Sequence, residues 1–148
     1  VIMKVIIAND HHGVKKKNTI VKYLRKKGHE VVDLGTNSTN IVDFPEYGFK
    51  VGESVKNKES DFGILICGTG IGMSIAANKI KGIRAALCSD SFSTKFTRLH
   101  NDTNVMCMGA RTLGIGLGAE LAEIFLTTGF EGGRHQRRID MITELENK

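Results

Sequence analysis

At 148 residues, with 41% hydrophobic and 25% charged side chains, the chain is large enough to bury a globular core without disulfides or metals. No apolar run approaches the roughly 20 residues that cross a bilayer, and the apolar opening stretch passes at once into polar Asn9 and Asp10, unlike a signal peptide. The net charge of +5 invites a polyanion, but aromatics are only 6% and no RNA-binding motif is present, so neither nucleic acid nor membrane is an expected partner.

The elements follow in order. Residues 4–8 form a short apolar strand that breaks at Asn9-Asp10-His11-His12-Gly13. A helix is predicted over 14–27, with Ile20, Val21, Tyr23 and Leu24 inward and Gly28 as its stop. Its basic clusters, Lys15 to Lys17 and Arg25 to Lys27, read as a solvated face. Strand two spans 29–34 and a polar loop spans 35–40. Phe44-Pro45 opens a helix to about residue 56. Strand three, 62–66, runs into Cys67-Gly68-Thr69-Gly70-Ile71-Gly72, and a helix follows over 73–79. Strand four is predicted over 83–88, then a helix from a cap among Ser89, Asp90 and Ser91 to about residue 99, then a polar corner at His100, Asn101 and Asp102. Strand five spans 104–108, and a loop over 109–116 precedes a helix over about 117–128. After a glycine-rich break, a last helix covers 134–147, with Ile139, Ile142 and Leu145 on one face.

Strands alternating with helices predict an α/β fold: one domain over 1–148 with a five-stranded parallel sheet covered on both faces. Ligands in such folds sit beyond the C-terminal strand ends. Strand one exits into Asp10, His11 and His12, strand three into Cys67 and the glycine turn, and strand five into Gly109 and Arg111. Strand four exits near Asp90, and its helix leads to His100 and Asn101. All these groups are therefore expected on one edge. Cys67, Cys88 and Cys107 are odd in number and lie in or beside apolar runs, which points to a reducing cytosol rather than a disulfide framework, and no zinc-type spacing occurs. Cys88 and Cys107 read as core. Cys67 reads equally as packing or as a thiol activated at a helix N-terminus. Glycines 68, 70 and 72 suit an anion held against backbone amides. Their spacing fits neither a dinucleotide fingerprint nor a P-loop, and nothing in the turn supports a flavodoxin-like or response-regulator domain.

Asn9 to Gly13, the run Cys67-Gly-Thr-Gly-Ile-Gly-Met-Ser-Ile-Ala-Ala-Asn-Lys79, Gly82-Ile-Arg-Ala-Ala86, His100-Asn-Asp102, Met108-Gly-Ala-Arg111 and Gly132-Gly-Arg-His135 resemble the ribose-5-phosphate isomerase B family, whose wider group includes galactose-6-phosphate and allose-6-phosphate isomerases. The resemblance covers nearly the whole chain. It implies a Rossmann-like three-layer α/β/α sandwich and interconversion of ribose 5-phosphate and ribulose 5-phosphate in the cytoplasmic, non-oxidative pentose phosphate pathway, with no metal and no cofactor. It implies that Cys67 is the base between C1 and C2, and that His100 opens the sugar ring with help from Asp10. Gly68, Thr69, Gly70, Ile71 and Gly72 would hold the enediolate, with Thr69 in the catalytic set. His11, Asn101, Arg111, Arg134 and Arg138 would contact the phosphate and the rest of the substrate. It gives His12 no role. It further implies a homodimer, or dimers paired into a tetramer, in which His100, Asn101 and the arginines of the C-terminal helix meet the Cys67 of the other subunit. The family usually has Ser where Asn9 stands.

A cis-enediolate route suits these residue types. A thiolate abstracts a proton near neutral pH, fixed amides stabilise the oxyanion, and forked arginines grip a phosphate remote from the reacting carbons.

Overall fold

The computed structural model describes residues 1–148. Five strands, β1 (Lys4–Asn9), β2 (Glu30–Asp33), β3 (Phe62–Cys67), β4 (Ala85–Leu87) and β5 (Val105–Gly109), alternate with six helices, α1 (Val14–Lys26), α2 (Phe44–Lys56), α3 (Ile71–Ala77), α4 (Ser91–Asn101), α5 (Ile115–Thr127) and α6 (Arg134–Glu146). A single 3-10 turn, His11–Gly13, joins β1 to α1. The sheet order is β2-β1-β3-β5-β4, and every pairing is parallel.

Strand side chains alternate between two cores because successive residues point to opposite faces. Ile7, Ile64, Ile66, Met106 and Met108 pack with Ile20, Leu24, Leu121 and Phe125 of α1 and α5. Ile6, Ala8, Leu65, Cys67 and Cys107 pack with Val51, Val55, Met73 and Ala77 of α2 and α3. The result is the expected α/β/α sandwich, and burial on both faces explains why the strands read as continuous apolar runs. No helix is long and apolar enough to cross a membrane.

The chain departs from the sequence-based expectations in three places. Lys16 and Lys17 are buried, 3% and 0% exposed, and not on a solvated face. They lie on the helix side that carries Ile20, Val21 and Leu24, and their apolar stems pack there. Lys17 Nζ donates to Asp33 Oδ2 at 2.9 Å and to Asn37 Oδ1 at 2.6 Å. Lys16 Nζ caps the carbonyls of Leu113 and Gly114 at 2.7 and 3.0 Å. The glycine turn also passes into helix two residues early, because Gly70, at φ +83°, turns the chain within the motif. Finally, His100 and Asn101 are the last turn of α4 and not a corner, and the chain breaks at Asp102, at φ +46°.

Candidate active site

The sheet switches direction between β1 and β3, the place where open α/β sheets leave a crevice. Asp10 follows β1 directly, and its amide donates to the Ile66 carbonyl at 3.0 Å, so it stands beside Cys67. Asp10 is 5% exposed, and both carboxylate oxygens are engaged: the His12 amide donates to Oδ1 at 2.9 Å, and His12 Nδ1 lies 3.1 Å from Oδ2. His11 Nδ1 accepts from the Val42 amide at 3.3 Å, and its ring lies 4.1 Å from that of His12. Asn9 is fully buried and pins the loop after β2, donating to the carbonyls of Asp10 and Thr36.

Cys67 ends β3, and its Sγ accepts the Gly70 amide at 3.2 Å, a contact that only the tight turn permits. A side chain on Gly70 would meet the Met108 backbone at 2.8 Å. Thr69 Oγ1 accepts from the Ile71 amide at 3.2 Å, which leaves its hydroxyl hydrogen for another acceptor. The amides of Gly70 and Ile71 are thus occupied, whereas those of Gly68 and Thr69 find no partner within the chain. Arg111 joins this cluster: its amide donates to the Gly68 carbonyl at 3.0 Å, and its stem flanks the empty side of Gly68. Cys88 and Cys107 behave as core residues. Burial pushes the Cys88 thiol up to about 11 and the Cys107 thiol well above its ordinary value.

The remaining groups assemble elsewhere. α4 starts at the C-terminal end of β4 and runs back along the sheet for 11 residues, roughly 16 Å. Its last turn is tied to the start of β4, where Arg84 Nε donates to the carbonyls of Asn101 and Asp102 at 3.2 and 3.1 Å. His100 and Asn101 therefore sit at the opposite end of the sheet from Cys67, and the expected convergence on one edge fails for them within one chain. The reason is that a helix following a parallel strand returns the chain to the strands' N-terminal side.

There His100 lines a cleft of about 670 Å³ with Asn101, His135 and Arg138. Its ring stacks on His135 at 4.1 Å and meets the Phe96 ring edge-on at 5.1 Å. Glu131 lies beside both imidazoles, 3.7 Å from His100 Nε2 and 3.5 Å from His135 Nε2. Burial, then the neighbouring His100 and Arg134, hold His135 below its ordinary pKa. Arg134 opens α6 exposed, and Arg138 lies one turn on. Ile142, which lines this cleft, and Leu145 on the same helix are 58% and 71% exposed, and Leu87 and Phe92, which share a second groove with His100 further along α4, are 42% and 69% exposed, so one apolar face lies uncovered.

Two clusters bring metal-ligating atoms within 4.8 Å: Asp10, His11 and His12, and His100, Glu131 and His135. In the first, hydrogen bonds already occupy both Asp10 oxygens and His11 Nδ1. In the second, the imidazoles stack with planes 11° apart, so their in-plane lone pairs do not converge. The sequence alone assigns no role to three of these residues, His12, Glu131 and His135. The signals available were the adjacency of His12 to Asp10 and the i, i+4 spacing of Glu131 and His135.

The family described as Ribose/Galactose Isomerase matches residues 5–142. YwlF of Bacillus subtilis (strain 168), by its name a candidate sugar phosphate isomerase, is 54% identical over 147 residues, covering 99% of each chain. Ribose-5-phosphate isomerase B of Escherichia coli (strain K12) is 46% identical over 145 residues, covering 98% of this chain and 97% of its own. The crystal structure of ribose-5-phosphate isomerase B from Mycoplasma genitalium with bound ribulose-5-phosphate superimposes with a TM-score of 0.93 at 42% identity, over 97% of this chain and 96% of that one.

Proposed function

This chain belongs to the ribose/galactose isomerase family, and from that membership we propose that it interconverts D-ribose 5-phosphate and D-ribulose 5-phosphate. The observation that carries the proposal is the nearly full-length likeness to ribose-5-phosphate isomerase B, one example of which holds ribulose-5-phosphate in its crystal structure. Cys67 Sγ takes the C2 proton of the open-chain aldose and returns it at C1. The proton moves within the substrate, so the reaction itself calls for no redox cofactor. The enediolate oxygens face the free amides of Gly68 and Thr69 and the Thr69 hydroxyl. Losing one donor of this kind typically slows a reaction by about 10²–10³. Gly70, Ile71 and Gly72 shape the turn that aims them. His11 and Arg111 grip the substrate from the same chain.

His100, Asn101, Arg134 and Arg138 come from a second copy of the chain, with His100 protonating the ring oxygen during ring opening. Two observations support this sharing: one chain holds the two groups at opposite ends of its sheet, and the apolar face beside His100 is uncovered. A C2 homodimer brings both groups together twice. A cytoplasmic setting in pentose phosphate metabolism accords with three free cysteines.

The test is conversion of ribose 5-phosphate followed by formation of the ketose, alongside galactose 6-phosphate and allose 6-phosphate. The family's description joins ribose with galactose and so favours a hexose 6-phosphate as the second reading. Turnover of a hexose phosphate with negligible turnover of ribose 5-phosphate replaces the first reading with the second.

A further inference from the structure

We propose that Glu131 is a positioning residue for ring opening: its carboxylate, set beside the stacked imidazoles of His100 and His135, orients His100 and offsets the charge of its imidazolium. The inference rests on the isomerase reading above and deepens it.

Opening the furanose asks two things of His100. Its imidazole must be held in one orientation, and it must carry the proton that O4 takes as the C1–O4 bond breaks. The cations around it oppose the second. Arg134 and Arg138 stand on α6, Arg84 and Arg138 line the same cleft, and His135 lies flat against the His100 ring at 4.1 Å. The arginines repel an imidazolium. Three acids lie in this region. Asp102 is turned to Arg84 and Arg98. Glu146 comes from the other end of α6, where its Oε1 accepts from the Gly82 amide at 2.8 Å. Only the Glu131 carboxylate comes within 4 Å of His100, at 3.7 Å from Nε2.

The backbone puts it there. The Glu131 amide donates to the Leu99 carbonyl at 3.0 Å, which fastens the segment between α5 and α6 to the last turn of α4. The two carboxylate oxygens then divide, Oε1 towards His100 and Oε2 towards His135. Both contacts are at ion-pair distance, longer than a hydrogen bond, and the side chain is 47% exposed, with room to close on either ring. Catalytic hydrogen bonds often tighten in this way only when substrate is bound. His135 gives an independent sign. It is 6% exposed, and its Nε2 is buried without a hydrogen-bond partner. A buried nitrogen of this kind calls for one, and the Glu131 carboxylate is in reach. With His135 stacked on the His100 ring and Phe96 meeting it edge-on, the carboxylate completes a frame around the imidazole. A carboxylate beside one nitrogen leaves the other for proton transfer, as where a base or acid is oriented by a third group. Glu131 itself takes no proton from the substrate; it acts through His100. Both sit on one chain, so Glu131 accompanies His100 to whichever site it serves.

Glu131→Gln keeps the shape and removes the charge. Its kcat/KM on ribose 5-phosphate is expected to fall about tenfold, a part of the about 10²-fold or more expected for losing a general acid. On 4-deoxyribose 5-phosphate, which lacks the hydroxyl that closes the ring and reaches the enzyme already open, the loss should stay below about twofold. In a His100→Ala background the same substitution should cost nothing further on ribose 5-phosphate, because no imidazole is left to orient. Equal losses on both substrates, the mark of a structural role or of displaced Arg134 and Arg138, overturn the inference. So does undiminished turnover of ribose 5-phosphate by Glu131→Gln, and so does a further loss in the His100→Ala background. Wild-type protein inactive on both substrates sinks the isomerase reading instead, which separates the two failures.

Discussion

Mixing two inactive variants tests the division of the site most directly. Cys67→Ala removes the base at the C-terminal end of β3, and His100→Ala removes the acid in the last turn of α4, a helix that runs back roughly 16 Å from that side of the sheet. If each site takes Cys67 from one copy and His100 from the other, a hybrid dimer has one site with both residues lost and one with both intact. Random exchange of equal amounts gives about half hybrids, each with one working site of two, so about one quarter of wild-type activity should return. The assay refolds the two variants together, quantifies hybrids by native mass spectrometry with one variant tagged, and follows ketose formation from ribose 5-phosphate. Recovery must rise with the hybrid fraction. Demonstrated hybrids without activity refute the sharing and require His100 to reach the Cys67 of its own chain, against the direction of α4.

Cys67→Ala alone should abolish isomerisation while moving the urea midpoint little, because the buried sulfur is replaced by a smaller apolar group; wild-type-like turnover removes Cys67 from the base role. Gly70→Ala should cost about 1–3 kcal/mol from the positive φ alone, more from the approach to the Met108 backbone, and should weaken activity by shifting the amide on Cys67 Sγ; denaturation and rate measurements read both. Lys17→Ala should destabilise by about 2–4 kcal/mol, because Asp33 and Asn37 lose their buried partner, and an unchanged denaturation midpoint contradicts that account. Cys88 holds its proton more tightly folded, at about 11, than unfolded, near 9.0. Its contribution is therefore complete below pH 9 and fades as pH rises towards 11, on the order of 2–3 kcal/mol in all, and Cys88→Ala should flatten that alkaline loss.

Much of the frame is legible in the sequence because it is written in local terms. Apolar runs bounded by glycine and polar exits mark the strands, and their two-sided burial implies the covered parallel sheet. The turn from Cys67 to Gly72 announces itself, since only glycine takes the backbone angles that put the Gly70 amide on sulfur. Tertiary structure decided the rest. Three consecutive lysines look solvated until the register of α1 turns Lys16 and Lys17 inward, where Asp33 and the Leu113 carbonyl wait from distant segments. His12 looks like a loop residue until the 3-10 turn folds it back onto both oxygens of Asp10. Asp10 and Cys67 adjoin because β1 and β3 are neighbours at the switch in strand order, whereas His100 is carried to the far end of the sheet by α4. Composition and periodicity determine which residues form which element. Which of them meet depends on strand order and helix direction, because contacts between distant segments follow from packing and not from spacing along the chain.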